Sequence, residues 1–177
     1  MGEQLLQTEK NGARTTVLAP LCLQSEIAYI GDCTYESRYV GYYQTLLTHH
    51  IPFDYRHVHP SSQTEEEGAR IMNDILKEED PPTAIFCAND CTALGVLRSL
   101  NKCRRKNYLP SVIAIDNIRK SAKTSPMLTT IDIPKQELAH FALLLLLDQQ
   151  KKAHKECVRI ELPCRLIERE SCTYAPC

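Results

Sequence analysis

No segment of this 177-residue sequence stays apolar for long. The longest purely apolar run, Phe141–Leu147, falls far short of the roughly 20 residues needed to cross a bilayer, which excludes a membrane-spanning helix. The opening residues, Met1–Thr16, are polar and mixed in charge, without the apolar stretch of a secretory leader. An excess of one charge is missing too. The formal net charge is -1, so nothing in the balance draws the chain toward nucleic acid. The one compact basic cluster, Arg104, Arg105 and Lys106, follows a predicted helix and reads as a solvated loop.

Catalytic and metal-binding signatures are equally scarce. There is no phosphate-cradling GxxxxGKS/T or GxGxxG loop and no GxSxG elbow. His49, His50, His57, His59, His140 and His154 fall on helix ends, loops or surfaces. His57 and His59 share one face of a predicted strand, where a solvated edge is the expectation and a metal pair the sharper alternative. Nine cysteines are irregularly spaced. Cys87 and Cys91 lie four apart, with no CxxC pair and no nearby histidine to complete a zinc site. An odd count would leave one thiol unpaired in an oxidising compartment, so the cytoplasm is expected. No enzyme activity, cofactor or metal is expected.

What is present is a regular alternation of short apolar runs and amphipathic stretches. Ile27–Ile30 reads as a buried strand ended by Gly31-Asp32, and Tyr39, Tyr43, Leu46 and Leu47 set a helix over about Glu36–His49. Tyr55–His59 is predicted as a second strand. Thr64 and Glu67 form a capping box ahead of the stripe Ile71, Met72, Ile75 and Leu76, and Pro81-Pro82 ends that helix. Ala84–Ala88 is a continuous apolar strand, and Asp90 is expected to cap the helix bearing Ala93, Leu94, Leu97 and Leu100. Val112–Ile115 is a further strand. Strand and helix at this spacing predict an α/β fold with a doubly wound parallel sheet. Beyond it Leu128–Ile133 is extended, and Pro134 opens a helix through Leu147. Its run Leu143–Leu147 makes that helix apolar all round, which predicts burial on several sides or, as the sharper alternative, an exposed dimer face. Val158–Leu162 and Arg165–Ile167 close the chain as short strands, and residues 1–26 show no assignable pattern.

Ligands of open parallel sheets bind beyond the carboxyl ends of the strands. Here Gly31-Asp32, Asn89-Asp90 and Asp116-Asn117 occupy three such ends. Asp90 is read as a helix cap, whereas Asn89 and Asp116 stand equally for capping and for ligand contact.

Five segments, in this order, resemble the LacI/GalR family of transcription regulators. Arg38–Tyr42 is similar to the RxxGY that opens a family helix, Thr83–Gly95 to TAIF-ANDxxALG, and Ser111–Ile118 to SVIGFDNI. Pro126–Ile131 matches PxLTTI and Leu162–Ser171 matches LPxxLIxRxS, with Ala114 in place of a glycine. The resemblance implies a periplasmic-binding-protein-like type I fold, here mainly its C-terminal lobe. That lobe would take residues 27–124 and 155–172, with 128–150 crossing into the N-terminal lobe, of which 1–26 would be a remnant. It further implies a cleft in which Arg38, Asn89 and Asp116 contact a small-molecule effector, a sugar by family default. A homodimer is implied, with DNA contacted only through a helix-turn-helix that nothing here resembles. A solute-binding receptor of the same fold and a non-functional repressor fragment remain as alternatives.

Overall fold

The computed structural model describes residues 26–34, 36–103, 108–151 and 156–172, so the basic cluster Arg104–Lys106, His154 and nearly all of the first 26 residues lie outside the described residues. In chain order the elements are β1 (Ile27–Gly31), α1 (Ser37–Thr48), β2 (Val58–Pro60), α2 (Glu65–Ile75) and β3 (Ala84–Cys87). They continue with α3 (Asp90–Lys102), β4 (Ser111–Ile115), β5 (Thr129–Asp132), α4 (Lys135–Gln150) and β6 (Arg165–Ile167). One six-stranded sheet has the order β2-β1-β3-β4-β5-β6, parallel except for β6, which runs antiparallel to β5. Because β2 and β3 flank β1, the connections leave β1 and β3 in opposite directions, which creates a topological switch point between them.

The strands read as unbroken apolar runs because both sheet faces are covered. Side chains alternate between the faces. Ile30, Ile85, Cys87, Val112 and Ala114 join Ile71, Met72 and Ile75 of α2 and Ala93, Val96 and Leu97 of α3 in one buried cluster. Tyr29 and Phe86 pack edge-on with ring centroids 5.5 Å apart, and Tyr29 also meets Tyr42 of α1 at 5.3 Å.

The predicted helix ends hold, with instructive exceptions. Thr64 Oγ1 accepts the Glu67 amide at 3.2 Å, but the Glu67 carboxylate turns to Arg70 instead of closing the box. Thr64→Ala should therefore cost about 1 kcal/mol in urea unfolding, the usual worth of an N-cap. At α3 the cap is Asn89, whose Oδ1 accepts the Thr92 amide at 2.8 Å, and not Asp90, which is the first helical residue. The expected strand Tyr55–His59 is split. Asp54 caps a 3-10 turn at Tyr55–His57, and only Val58–Pro60 pairs with β1. His57 is buried, so the solvated edge expected for the two histidines does not form. Val158–Leu162 makes no strand.

The chain divides into two compact units, the larger from Thr16–Ile133 with Arg165–Cys177, the smaller from Met1–Thr15 with Pro134–Cys164. The smaller contains α4, and there the expectation of burial fails. No residue of α4 is buried, and Leu138, Leu143, Leu144, Leu146 and Leu147 are 43–55% exposed. An all-round apolar helix needs packed elements on several sides. Among the described residues its own unit offers only residues 156–164, which form no helix or strand.

Candidate functional site

Parallel strands bring their carboxyl ends to one edge of the sheet. In the larger unit, β1 ends there at Gly31, β2 at Pro60, β3 at Cys87 and β4 at Ile115. All three candidate residues lie along that edge. Arg38 sits in the first turn of α1 just past β1, Asn89 follows β3, and Asp116 follows β4.

Arg38 and Asn89 are joined by two side chains that the sequence did not single out. Arg38 Nη1 donates to Glu36 Oε1 at 2.6 Å. Gln63 Nε2 donates to the other Glu36 oxygen at 3.4 Å, and the Gln63 carbonyl accepts Asn89 Nδ2 at 3.0 Å. The Tyr29 hydroxyl also reaches Glu36, at 3.3 Å, and the Asp32 carbonyl at 3.2 Å. Burial and the neighbouring Glu36 push that phenol well above its ordinary range, so it stays a proton donor. Gln63 adopts a left-handed backbone, φ 62°, which lets the loop after β2 fold back over the rim.

Counting donors and acceptors decides what each group has left. Asn89 Oδ1 accepts both the amide and the hydroxyl of Thr92, at 2.8 Å each, which fills its two lone-pair positions. Its amide nitrogen carries two hydrogens and uses one on Gln63, so Asn89 retains a donor but no acceptor. Arg38 carries five N–H groups, of which the Glu36 pair engages one.

Asp116 is held differently. Its φ is 123° and that of Asn117 is 50°, a pair of left-handed residues that turns the chain sharply at the strand end. Such backbone costs about 1–3 kcal/mol and persists where the surroundings impose it. The Asp116 amide donates to the Ile131 carbonyl at 2.9 Å. Asn117 is clamped on both sides, its Nδ2 on Asp132 at 3.0 Å and its Oδ1 under the Arg169 guanidinium at 2.7 Å.

An open depression of about 630 Å³ lies on the same edge, between the ends of β1 and β2, lined by Asp32, Thr34, Ser61, Ser62, Gln63 and Glu67 among others. Arg38, Asn89 and Asp116 do not line it; the first two reach it through Glu36 and Gln63. The hydroxyl and amide of Thr34 hold the Asp32 carboxyl below the usual carboxylate range, so it faces the depression ionised. The depression presents hydroxyl, amide and carboxylate groups, which suits a ligand rich in hydroxyls. Among the described residues no group of three or more His, Cys, Asp or Glu is placed to hold a metal ion, and no helix is long and apolar enough to cross a membrane.

Residues 24–172 match the profile of a periplasmic binding protein-like domain. The chain is 34% identical over 140 residues to the HTH-type transcriptional repressor PurR of Photorhabdus laumondii, which covers 78% of this chain and 41% of that one. Among solved structures, a Bacillus cereus subsp. cytotoxis transcriptional regulator assigned to LacI superposes with a TM-score of 0.81 at 26% identity, covering 92% of this chain and 60% of the other. A LacI family transcriptional regulator from Enterococcus faecium with bound ribose gives 0.74 at 29% identity, with 89% and 62% covered. The chain thus spans about two fifths of the length of the curated relatives it matches.

Proposed function

The chain belongs to the periplasmic-binding-protein-like domain family of LacI-type regulators, and from that premise we propose that it senses a small-molecule effector, in the first instance a sugar. The observation that carries this reading is the hydrogen-bonded rim from Arg38 through Glu36 and Gln63 to Asn89, with Asp116 at the neighbouring strand end. The three groups complement a polyol. Arg38 and Asn89 donate, and the Asp116 carboxylate accepts from adjacent hydroxyls. The ribose bound by the Enterococcus faecium relative supports a sugar over other ligands.

In this reading the chain is a sensor and not a catalyst. Effector binding shifts the balance between conformations, and the coupling free energy reaches DNA only through a separate DNA-reading segment of the kind the HTH-type relatives are named for. The exposed leucines of α4 support self-association as a homodimer. Free thiols at Cys33, Cys87, Cys91, Cys157 and Cys172 favour the cytoplasm over the oxidising compartments of a solute receptor.

The test is calorimetry on a chimera in which this chain replaces the matching segment of an intact repressor relative, titrated with pentoses and hexoses. Asp116→Ala removes one or two charged hydrogen bonds of about 1.5–3 kcal/mol each, so affinity should fall at least about tenfold. An unchanged affinity would refute the role of Asp116. A native chimera that ignores every sugar would overturn the sugar reading.

A further inference from the structure

We infer that His59 forms an acid-sensitive latch that keeps the edge strand β2 and the loop after it closed at neutral pH and lets both open when a proton binds. His57 is only 6% exposed, and its Nδ1 is buried without a hydrogen-bond partner. Nε2 of His59 is in the same position. Each neutral imidazole carries one N–H and one bare nitrogen, so the closed strand tolerates these two buried nitrogens as unprotonated atoms. A proton on Nε2 of His59 would create a buried donor with nothing to accept it and a positive charge with poor solvation.

The surroundings give that charge little relief. Neighbouring His57 opposes a charge on His59, and Arg70 of α2 adds a second cation. Asp74 of α2 and Asp54 ahead of the 3-10 turn are the nearby anions, but Asp74 is paired with Arg70 and Lys77, and Asp54 with Arg56. Glu67 is likewise held by Arg70. From β1, the residues that face β2 are Tyr29, Ile30 and Gly31, which carry no group that titrates near neutrality. Burial, His57 and Arg70 make His59 less basic in the closed strand than its ordinary 6.5, so the open form takes up protons first. Closure is fully favoured above that pH and weakens as pH falls through it toward the lower closed-state value.

The strand is also easy to open. It is three residues long and, among the described residues, lies at the sheet edge and pairs only with β1. The loop beyond it matters more, because Ser61 donates its amide to the Gly31 carbonyl at 3.0 Å and Gln63 is the bridge between Glu36 and Asn89. Opening β2 therefore removes the middle of the polar rim.

Hydrogen–deuterium exchange of the full chain at pH 7.5 and pH 5.5, corrected for intrinsic rates, reads the latch without reference to any effector. Residues 54–64 should lose protection several-fold, up to the roughly tenfold that one imidazole with an open-state value of 6.5 can give between these two pH values, while β3 and β4 keep theirs. In the doubly substituted chain His57→Phe, His59→Leu the two pH values should give equal protection. Acid opening that persists in that variant, or pH-independent protection in the native chain, would overturn the latch. Should the variant not fold, NMR titration of the native histidines decides. Amide shifts of Ser61–Gln63 that track the imidazole protonation support the latch, and amides that ignore it sink it.

Discussion

Asp90→Ala should lower the unfolding free energy by about 3–5 kcal/mol, displacing the thermal midpoint by roughly 10 °C. The side chain is fully buried at the start of α3 and carries three bonds that cross the fold. Its Oδ2 accepts the Ile118 amide at 2.9 Å and the Ser121 hydroxyl at 2.5 Å, and its Oδ1 accepts the Thr130 hydroxyl at 2.5 Å. Asp90 thereby ties α3 to the turn after β4 and to β5. Alanine leaves three donors without their acceptor, and unmet buried donors cost about 1–3 kcal/mol each. The full sum is not reached, because the change also removes a buried carboxylate whose desolvation was unfavourable. Asp90→Asn should be far milder, near 1–2 kcal/mol. Its carbonyl can take the Oδ2 position, and the Thr130 hydroxyl can turn to accept from the new amide. Urea unfolding of the two variants measures the difference, and an alanine variant within 1 kcal/mol of the native chain, a span smaller than about one ordinary hydrogen bond, would show that Asp90 is no clamp.

Asp90 also marks the limit of what the sequence discloses. Asn89 and Asp90 are both good cap residues, and composition alone favours neither. The extended backbone of Asn89, φ -146°, places its amide over the Thr92 amide, and that leaves Asp90 pointing into the layer beneath β5. Local chemistry was readable at this junction, but the direction of each side chain was not. The strands β1, β3 and β4 and the helix α2 were legible because their signal is periodic and local, an apolar run or a stripe such as Ile71, Met72 and Ile75 behind a Thr64 cap. The strand β2 was blurred because a 3-10 turn consumed half of the expected run. Helix α4 stayed open between burial and an exposed face for a different reason. Five consecutive leucines declare how much apolar surface a helix carries, but not whether anything covers it.

The same distinction applies to the rim. Asn89 and Asp116 follow from their place at strand ends and Arg38 from a family motif, and the sheet sets all three along one edge. Glu36 and Gln63 escaped notice. They lie 27 residues apart, in stretches with no periodicity, and meet only because β1 and β2 run parallel and end side by side. Their one local cue is the left-handed Gln63, and a backbone angle is not written in residue types.

A destabilisation of similar size should come from a residue with no side chain. Gly95 of α3 faces α2 so closely that a Cβ there would lie 2.0 Å from the Glu65 carbonyl oxygen and 2.7 Å from the Ala69 nitrogen. Gly68 of α2 is its counterpart, with a Cβ 2.1 Å from the Thr92 carbonyl oxygen. These neighbours are helix backbone and cannot rotate aside, so a methyl group is accommodated only by pushing the two helices apart. Separation would stretch the Ser99 hydroxyl off the Ala69 carbonyl, now 3.1 Å, and the Arg98–Glu65 pair, now 2.8 Å. It would also loosen the cluster of Ile71, Met72, Val96 and Leu97 beneath them. Gly95→Ala should cost about 3 kcal/mol and Gly95→Val more, toward the limit of what the domain tolerates. Gly41 supplies the control. It is also helical, but a Cβ there meets nothing within 4 Å, so Gly41→Ala should stabilise by about 0.5–1 kcal/mol through helix propensity alone. Opposite signs for the two Gly→Ala changes in parallel urea titrations would confirm that helix contact, not glycine flexibility, fixes residue 95; equal signs would refute it.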